Sequence, residues 1–210
     1  VLVVTGPNII RAGWVRDVTD SLDAEEVRYT IFSGVTPNPR DFEVMNGAGL
    51  YQESGCDAIV AVGGGSPMDC AKGIGIVATN KKDILTFEGV DTIPIPPPPL
   101  ICIPTTAGTG ADVSQFAIIN DTTRKVKIAI ISKKVVPDIA LVDPVPLTSL
   151  SPALTSQTGL DALTHSVEAY VSNASSPVTD TLALESIAQI RDYLLLAQQH
   201  PDNLQYRNQT

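Results

Sequence analysis

The sequence predicts an α/β fold in two parts, an open parallel sheet flanked by helices over residues 1–150 and the beginning of an all-helical part over residues 151–210. Three observations predict it. Short β-branched runs alternate with segments of helical period from Val1 to about Ile103, the alternation of a parallel sheet with crossover helices. One run, Ala58–Val62, is apolar throughout, as in a strand buried on both faces. Past Ser151 the strand pattern stops and only helical periodicity remains.

Taken in order, Val1–Thr5 reads as the first strand and about Ile9–Leu22 as one helix. Val27–Phe32 is strand-like, Gly34-Val-Thr-Pro-Asn-Pro39 is a turn-rich loop, and roughly Arg40–Ser54 suits a helix closed by Gly55. The strand Ala58–Val62 ends in Gly63-Gly-Gly65, and a helix follows from Ser66. Ile93–Pro99 carries five prolines in seven residues, an extended lead into the strand Leu100–Ile103; a polyproline ligand is the lesser reading. Gln115–Ile119 and Val126–Ile131 form a predicted hairpin, and Ile139–Val142 is a short strand. Thr155–Tyr170 and Thr179–Gln199 are predicted helices around a Ser/Asn/Pro turn.

The charge balance narrows the function. The 210 residues carry 14 Lys and Arg against 23 Asp and Glu, a net −9, with a pI near 4.5. Bulk charge therefore excludes nucleic acid and anionic membrane surfaces as partners. With 43% hydrophobic residues and a mean hydropathy of +0.14, the chain has material for a core and is not a disordered tail. Cys56, Cys70 and Cys102 are odd in number and form no C-x-x-C pair, which fits a reducing, cytoplasmic setting. No apolar run approaches the roughly 18–20 residues of a membrane span, and Val1–Val4 is too short for a signal segment, so neither export nor spanning is expected.

Three segments could carry chemistry. In Gly63-Gly-Gly-Ser-Pro-Met-Asp-Cys-Ala-Lys72, glycines end a buried strand, Ser66 is the expected N-cap, Pro67 suits the first helical position, and Asp69 stands where a capping-box acid would. Such a turn exposes helix N–H groups to a phosphate or pyrophosphate; a tight, ligand-free turn is the competing reading. It is neither a Walker A loop nor a G-x-G-x-x-G fingerprint. Pro104-Thr-Thr-Ala-Gly-Thr-Gly110 also follows an apolar run, and its hydroxyls suit ribose and phosphate oxygens. Two such loops after neighbouring strands favour a dinucleotide cleft. Asp161 and His165 are four apart, so on a helix they share a face and can chelate one cation, although an exposed pair or a core-facing histidine would look the same. Two ligands are fewer than a catalytic metal needs, and the one other histidine, His200 before Pro201, has no reason to fold back.

Taken together, Gly63–Lys72, Pro104–Gly110, Asp143-Pro144 and Gly159-Leu-Asp-Ala-Leu-Thr-His-Ser-Val-Glu-Ala-Tyr170 resemble the iron-dependent (group III) alcohol dehydrogenase family. The Gly34–Pro39 loop is similar to that of its lactaldehyde reductase, 1,3-propanediol dehydrogenase and methanol dehydrogenase branch. The resemblance implies a Rossmann-like NAD(P)-binding domain followed by a helical domain, the dehydroquinate synthase-like architecture, with a divalent metal, Fe2+ or alternatively Zn2+. It implies Gly64, Gly65 and Ser66 at the pyrophosphate with Asp69 nearby, Asn38 on the adenine side, Thr105, Thr106 and Thr109 on the cofactor, and Lys127 at the nicotinamide ribose. Asp161 and His165 would be metal ligands, acting catalytically through the metal.

The implied reaction is hydride transfer between a small primary alcohol, or its aldehyde, and NAD or NADP. Other readings are a glycerol dehydrogenase-like or maleylacetate reductase-like enzyme, or a nucleotide-binding fragment without catalysis. Gly6 stands where relatives often carry an aspartate that meets the ribose 2′-hydroxyl, so tolerance of NADP is expected. The remaining two metal-ligand histidines of the family lie beyond Thr210, so the chain is expected to be a fragment that holds iron weakly and is inactive alone. Apolar helix faces without cover imply a homo-oligomer.

Overall fold

The computed structural model describes all 210 residues, in two compact units: Val1–Pro104 with Ala111–Val142, and Thr105–Gly110 with Asp143–Thr210. The helical unit thus begins at Asp143, ahead of the composition change at Ser151, and takes in the threonine loop.

In chain order the first unit contains β1 (Leu2–Val4), α1 (Pro7–Ala12), α2 (Trp14–Ala24), β2 (Thr30–Phe32), α3 (Asp41–Glu53), β3 (Ile59–Gly63), α4 (Gly65–Asn80), β4 (Gly89–Val90), β5 (Leu100–Pro104), β6 (Phe116–Asp121), β7 (Val126–Ile131) and β8 (Ile139–Ala140). Five strands form a sheet in the order β2-β1-β3-β5-β8, parallel throughout. Successive side chains on a strand face opposite ways, and β1 and β3 use both faces. Leu2, Val4, Ile59 and Ala61 enter the larger core with Met68, Ile74 and Ile76 of α4. Val3, Val60 and Val62 enter a smaller core with Val15, Trp14 and Val18 of α2. The all-apolar reading of β3 therefore has its cause in burial on both faces.

The register aligns Val4 with Phe32 and with Ala61, and Gly63 with Pro104. The segments after β1, β2 and β3 consequently leave the same carboxyl edge, the edge at which open α/β sheets bind ligands.

Two features differ from expectation. The predicted single helix Ile9–Leu22 is broken at Gly13, whose φ of 93° ends α1 in the left-handed conformation and opens α2; without a Cβ, glycine takes that conformation at little cost. The predicted hairpin forms, with Phe116 opposite Ile131 and Asp121 opposite Val126, but two-residue β4 adds to β7 and makes a second sheet, β4-β7-β6. A strand that short leaves no periodic signal.

The second unit contains α5 (Pro152–Val171), α6 (Pro177–Gln199) and α7 (Leu204–Asn208). Ser151 and Ser176 cap α5 and α6, each accepting a backbone N–H three residues on. Gln198 donates to Ser156 and Ser166 to Ser186, so the two long helices run antiparallel. No helix is long and apolar enough to cross a membrane.

Candidate cofactor and metal site

The turn after β3 leaves backbone donors without an internal acceptor. Gly63 has a φ of 147°, and a Cβ there would lie 2.6 Å from Pro67 Cγ, so only glycine allows the helix to start so close to the strand end. Gly64 is the N-cap of α4 and no side chain caps the helix. The first-turn N–H groups and the positive end of a 16-residue helix thus face the carboxyl edge, an arrangement that takes anions. The sequence expected Ser66 to cap this helix. The structure corrects that: the helix already starts at Gly65, and Ser66 Oγ accepts the Asn38 N–H at 3.1 Å.

Asn38 joins three elements. Its φ is 58°, a conformation asparagine tolerates better than most residues. Its side-chain oxygen accepts from Lys127 Nζ at 2.7 Å and its carbonyl accepts from Asn120 Nδ2 at 2.8 Å. The loop behind it is held by Glu43, 4% exposed, which accepts from Thr36 Oγ1 at 2.7 Å and from the Arg40 N–H at 3.1 Å. Thus Asn38, Ser66 and Lys127, far apart in sequence, meet at one place in the first unit. Gly6 lies after β1, buried, and a Cβ there would stand 3.1 Å from the Val35 carbonyl.

Asp69 does not close the capping box that the sequence suggests, and it works together with Lys72. They lie three apart on α4 and reach alternate residues of the β6 segment. Lys72, fully buried, donates from Nζ to the Ser114 carbonyl at 2.8 Å, the Phe116 carbonyl at 2.9 Å and Ser114 Oγ at 3.2 Å. Asp69 accepts the Ile118 N–H; it closes no capping box. Burial pushes the Asp69 carboxyl up to about 7, against the pull of Lys72, the Ile118 N–H and Lys127. Burial likewise lowers the Lys72 ammonium from its ordinary value, with Asp69 opposing. The pair therefore fixes the hairpin that carries Lys127. Lys72 and Glu43 had no role in the sequence reading; the available signal was an acid and a base three apart on a helix otherwise buried and apolar.

In the second unit, Thr105 is 2% exposed and its Oγ1 has no hydrogen-bond partner. A buried hydroxyl left so costs about 1–3 kcal/mol, which fits a hydroxyl that awaits a ligand. Thr106 and Thr109 follow on the same loop, and Gly108 lies against Thr158 of α5. Further along α5, His165 Nε2 stands 3.7 Å from Asp161 Oδ1, both side chains about half exposed. Their donor chemistry, carboxylate oxygen and imidazole nitrogen, fits a divalent cation, but no group of three His, Cys, Asp or Glu side chains is assembled. The pair is a partial donor set, and His200, the C-cap of α6, is not part of it.

Residues 1–144 match the family described as iron-containing alcohol dehydrogenase, and residues 155–210 match the C-terminal part of the Fe-containing alcohol dehydrogenase family. Alcohol dehydrogenase 4 of Schizosaccharomyces pombe is 45% identical over 193 residues, 92% of this chain and 46% of that protein. Among solved structures, a 1,3-propanediol oxidoreductase superposes with a TM-score of 0.97 at 40% identity, covering 99% of this chain and 55% of the other. A sulfoacetaldehyde reductase from Bifidobacterium kashiwanohense in complex with NAD+ superposes with a TM-score of 0.89 at 29% identity, covering 99% and 55%. The chain spans about half the length of the curated relatives it matches. With both of its units matched in order, the chain belongs to the iron-containing alcohol dehydrogenase family.

Proposed function

We propose that this chain carries the cofactor-binding part and two metal ligands of an NAD(P)-dependent, metal-dependent alcohol dehydrogenase or aldehyde reductase. The observation that carries the reading is the uncapped start of α4 behind Gly63, with Ser66, Asn38 and Lys127 gathered beside it. Gly64, Gly65 and the first-turn N–H groups hold the pyrophosphate, the hydroxyls of Thr105, Thr106 and Thr109 bond cofactor oxygens, and Lys127 reaches a ribose. Gly6 presents no carboxylate to repel a 2′-phosphate, which supports use of NADP beside NAD.

Asp161 and His165 would hold a divalent cation, Fe2+ or Zn2+. When bound, the cation would supply Lewis acidity at the alcohol or carbonyl oxygen, and a nicotinamide cofactor would supply hydride chemistry. The substrate class is a small primary alcohol or its aldehyde, consistent with the names of the relatives. Exposed Leu160, Val167, Leu182 and Leu195 support self-association, and three free cysteines support a reducing, cytoplasmic setting.

A second reading is a nucleotide-binding module without catalysis. Turnover separates the two. In a protein that completes the donor set of Asp161 and His165, alcohol-dependent reduction of NAD+ or NADP+, lost on chelation and restored by Fe2+ or Zn2+, is the expected result. Turnover that survives complete chelation contradicts the metal role, and NADH binding without any turnover favours the module.

A further inference from the structure

Within the second unit, the threonine loop meets the helix of Asp161 and His165 with no slack. A Cβ on Gly108 would lie 2.7 Å from the Thr158 carbonyl oxygen and 3.0 Å from Thr158 Cβ, where ordinary contact is 3.4–4 Å. The φ of Gly108 is outside the left-handed region, so glycine is required there for space and not for backbone freedom. Thr158 precedes Asp161 by one turn of α5.

The same turn is gripped from two other sides. Gly159 admits Leu194 of α6 against the α5 backbone. Arg207, 3% exposed, donates from Nη1 to Thr155 Oγ1 at 2.8 Å and from Nε to the Pro201 carbonyl at 2.9 Å. Ala107, Leu147, Thr155, Thr158 and Arg207 line a small cavity with room for about one water. Because a Cβ at position 108 would stand inside contact distance of the Thr158 carbonyl, a side chain there must push loop and helix apart.

We infer that Gly108 and Arg207 are positioning residues: the Gly108 contact sets the height of the threonine loop over the Asp161–His165 turn, and Arg207 holds that turn in place through Thr155. The inference rests on the reading above of this loop as cofactor-bearing and this pair as metal-bearing. Its consequence is that the cofactor-bearing hydroxyls and the metal donors are held to one another by direct packing inside one unit. Misplacement of reacting groups by about 1 Å costs roughly 100-fold in rate, and Gly108→Ala opens a displacement approaching that size.

The test combines geometry and kinetics. Mn2+ titrated onto the chain relaxes the backbone amide resonances of residues 105–110 according to their distance from Asp161 and His165. Gly108→Ala is expected to weaken that relaxation and, in an enzyme whose metal donor set is complete, to lower kcat about 10- to 100-fold. Arg207→Lys, which keeps the charge and loses the planar fork, is expected to lower kcat in the same manner and serves if Gly108→Ala does not fold. Relaxation and kcat that stay at wild-type values in the folded variants overturn the inference. Wild-type protein that binds neither NADH nor Mn2+ overturns the underlying reading, and that failure is seen before any substitution is made.

Discussion

Replacing Asp69 by asparagine removes a carboxylate that is held inside the first unit, keeps an acceptor for the Ile118 N–H, and gives a stability effect whose sign depends on pH. Burial lifts Asp69 from 3.8 to about 7, about three pH units, and each unit is worth about 1.4 kcal/mol. A group raised on folding contributes stability fully present below its unfolded value and lost as pH rises through its folded value. Wild type therefore loses up to about 4 kcal/mol relative to Asp69→Asn between pH 4 and pH 7, and the difference is flat above that. Urea unfolding of both proteins at pH 4.5, 6, 7.5 and 9 measures it. The variant should gain on wild type as pH rises and be the more stable protein at pH 7.5. A difference that does not change with pH would refute the assignment of Asp69 as a carboxyl held mostly neutral by burial.

Lys72→Met leaves the Ser114 and Phe116 carbonyls without their donor, and breaking such a buried charged contact costs about 3–5 kcal/mol, a Tm drop of roughly 10 °C for a chain of this size; a change under about 1 kcal/mol would contradict the grip of α4 on β6. Gly63→Ala forces a Cβ to 2.6 Å from Pro67 at a φ of 147°, so it should lose about 2–3 kcal/mol of stability and weaken NADH binding at least about tenfold, read by fluorescence titration. Burial pushes the Cys70 thiol up, and the Cys102 thiol up to about 12, whereas Cys56 is partly exposed. A thiol reagent on the native protein should therefore modify Cys56 first, with the other two reacting only on unfolding; rapid loss of all three thiols would contradict this.

Much of the fold was legible because its causes are local. The apolar run of β3, the hairpin, and the serines that open α5 and α6 all carry their signal within a few residues. Gly13 was hidden because a single glycine in a helical pattern is compatible with either a continuous helix or a break, and only its φ of 93° decides. Of the candidate site, the glycine turn after β3 and the Asp161–His165 spacing carry local signals, whereas Asn38 and Lys127 enter only through the family resemblance. What escaped came from partners distant in sequence. Ser66 looks like an N-cap in isolation, yet the Asn38 N–H, 28 residues away, claims its oxygen. Asp69 looks like a capping acid and Lys72 carries no signal of its own, yet both are drawn inward by backbone groups more than forty residues on. The closeness of Gly108 to Thr158 has no trace in either segment alone.

Titration of this 210-residue chain with NADH, followed by cofactor fluorescence, tests the central claim most directly, because it asks whether the glycine turn of α4 binds a dinucleotide whatever the metal does. Saturable binding of one NADH per chain is expected, at least about tenfold weaker in Gly63→Ala. The absence of saturable binding, or equal affinity in the two proteins, would contradict it.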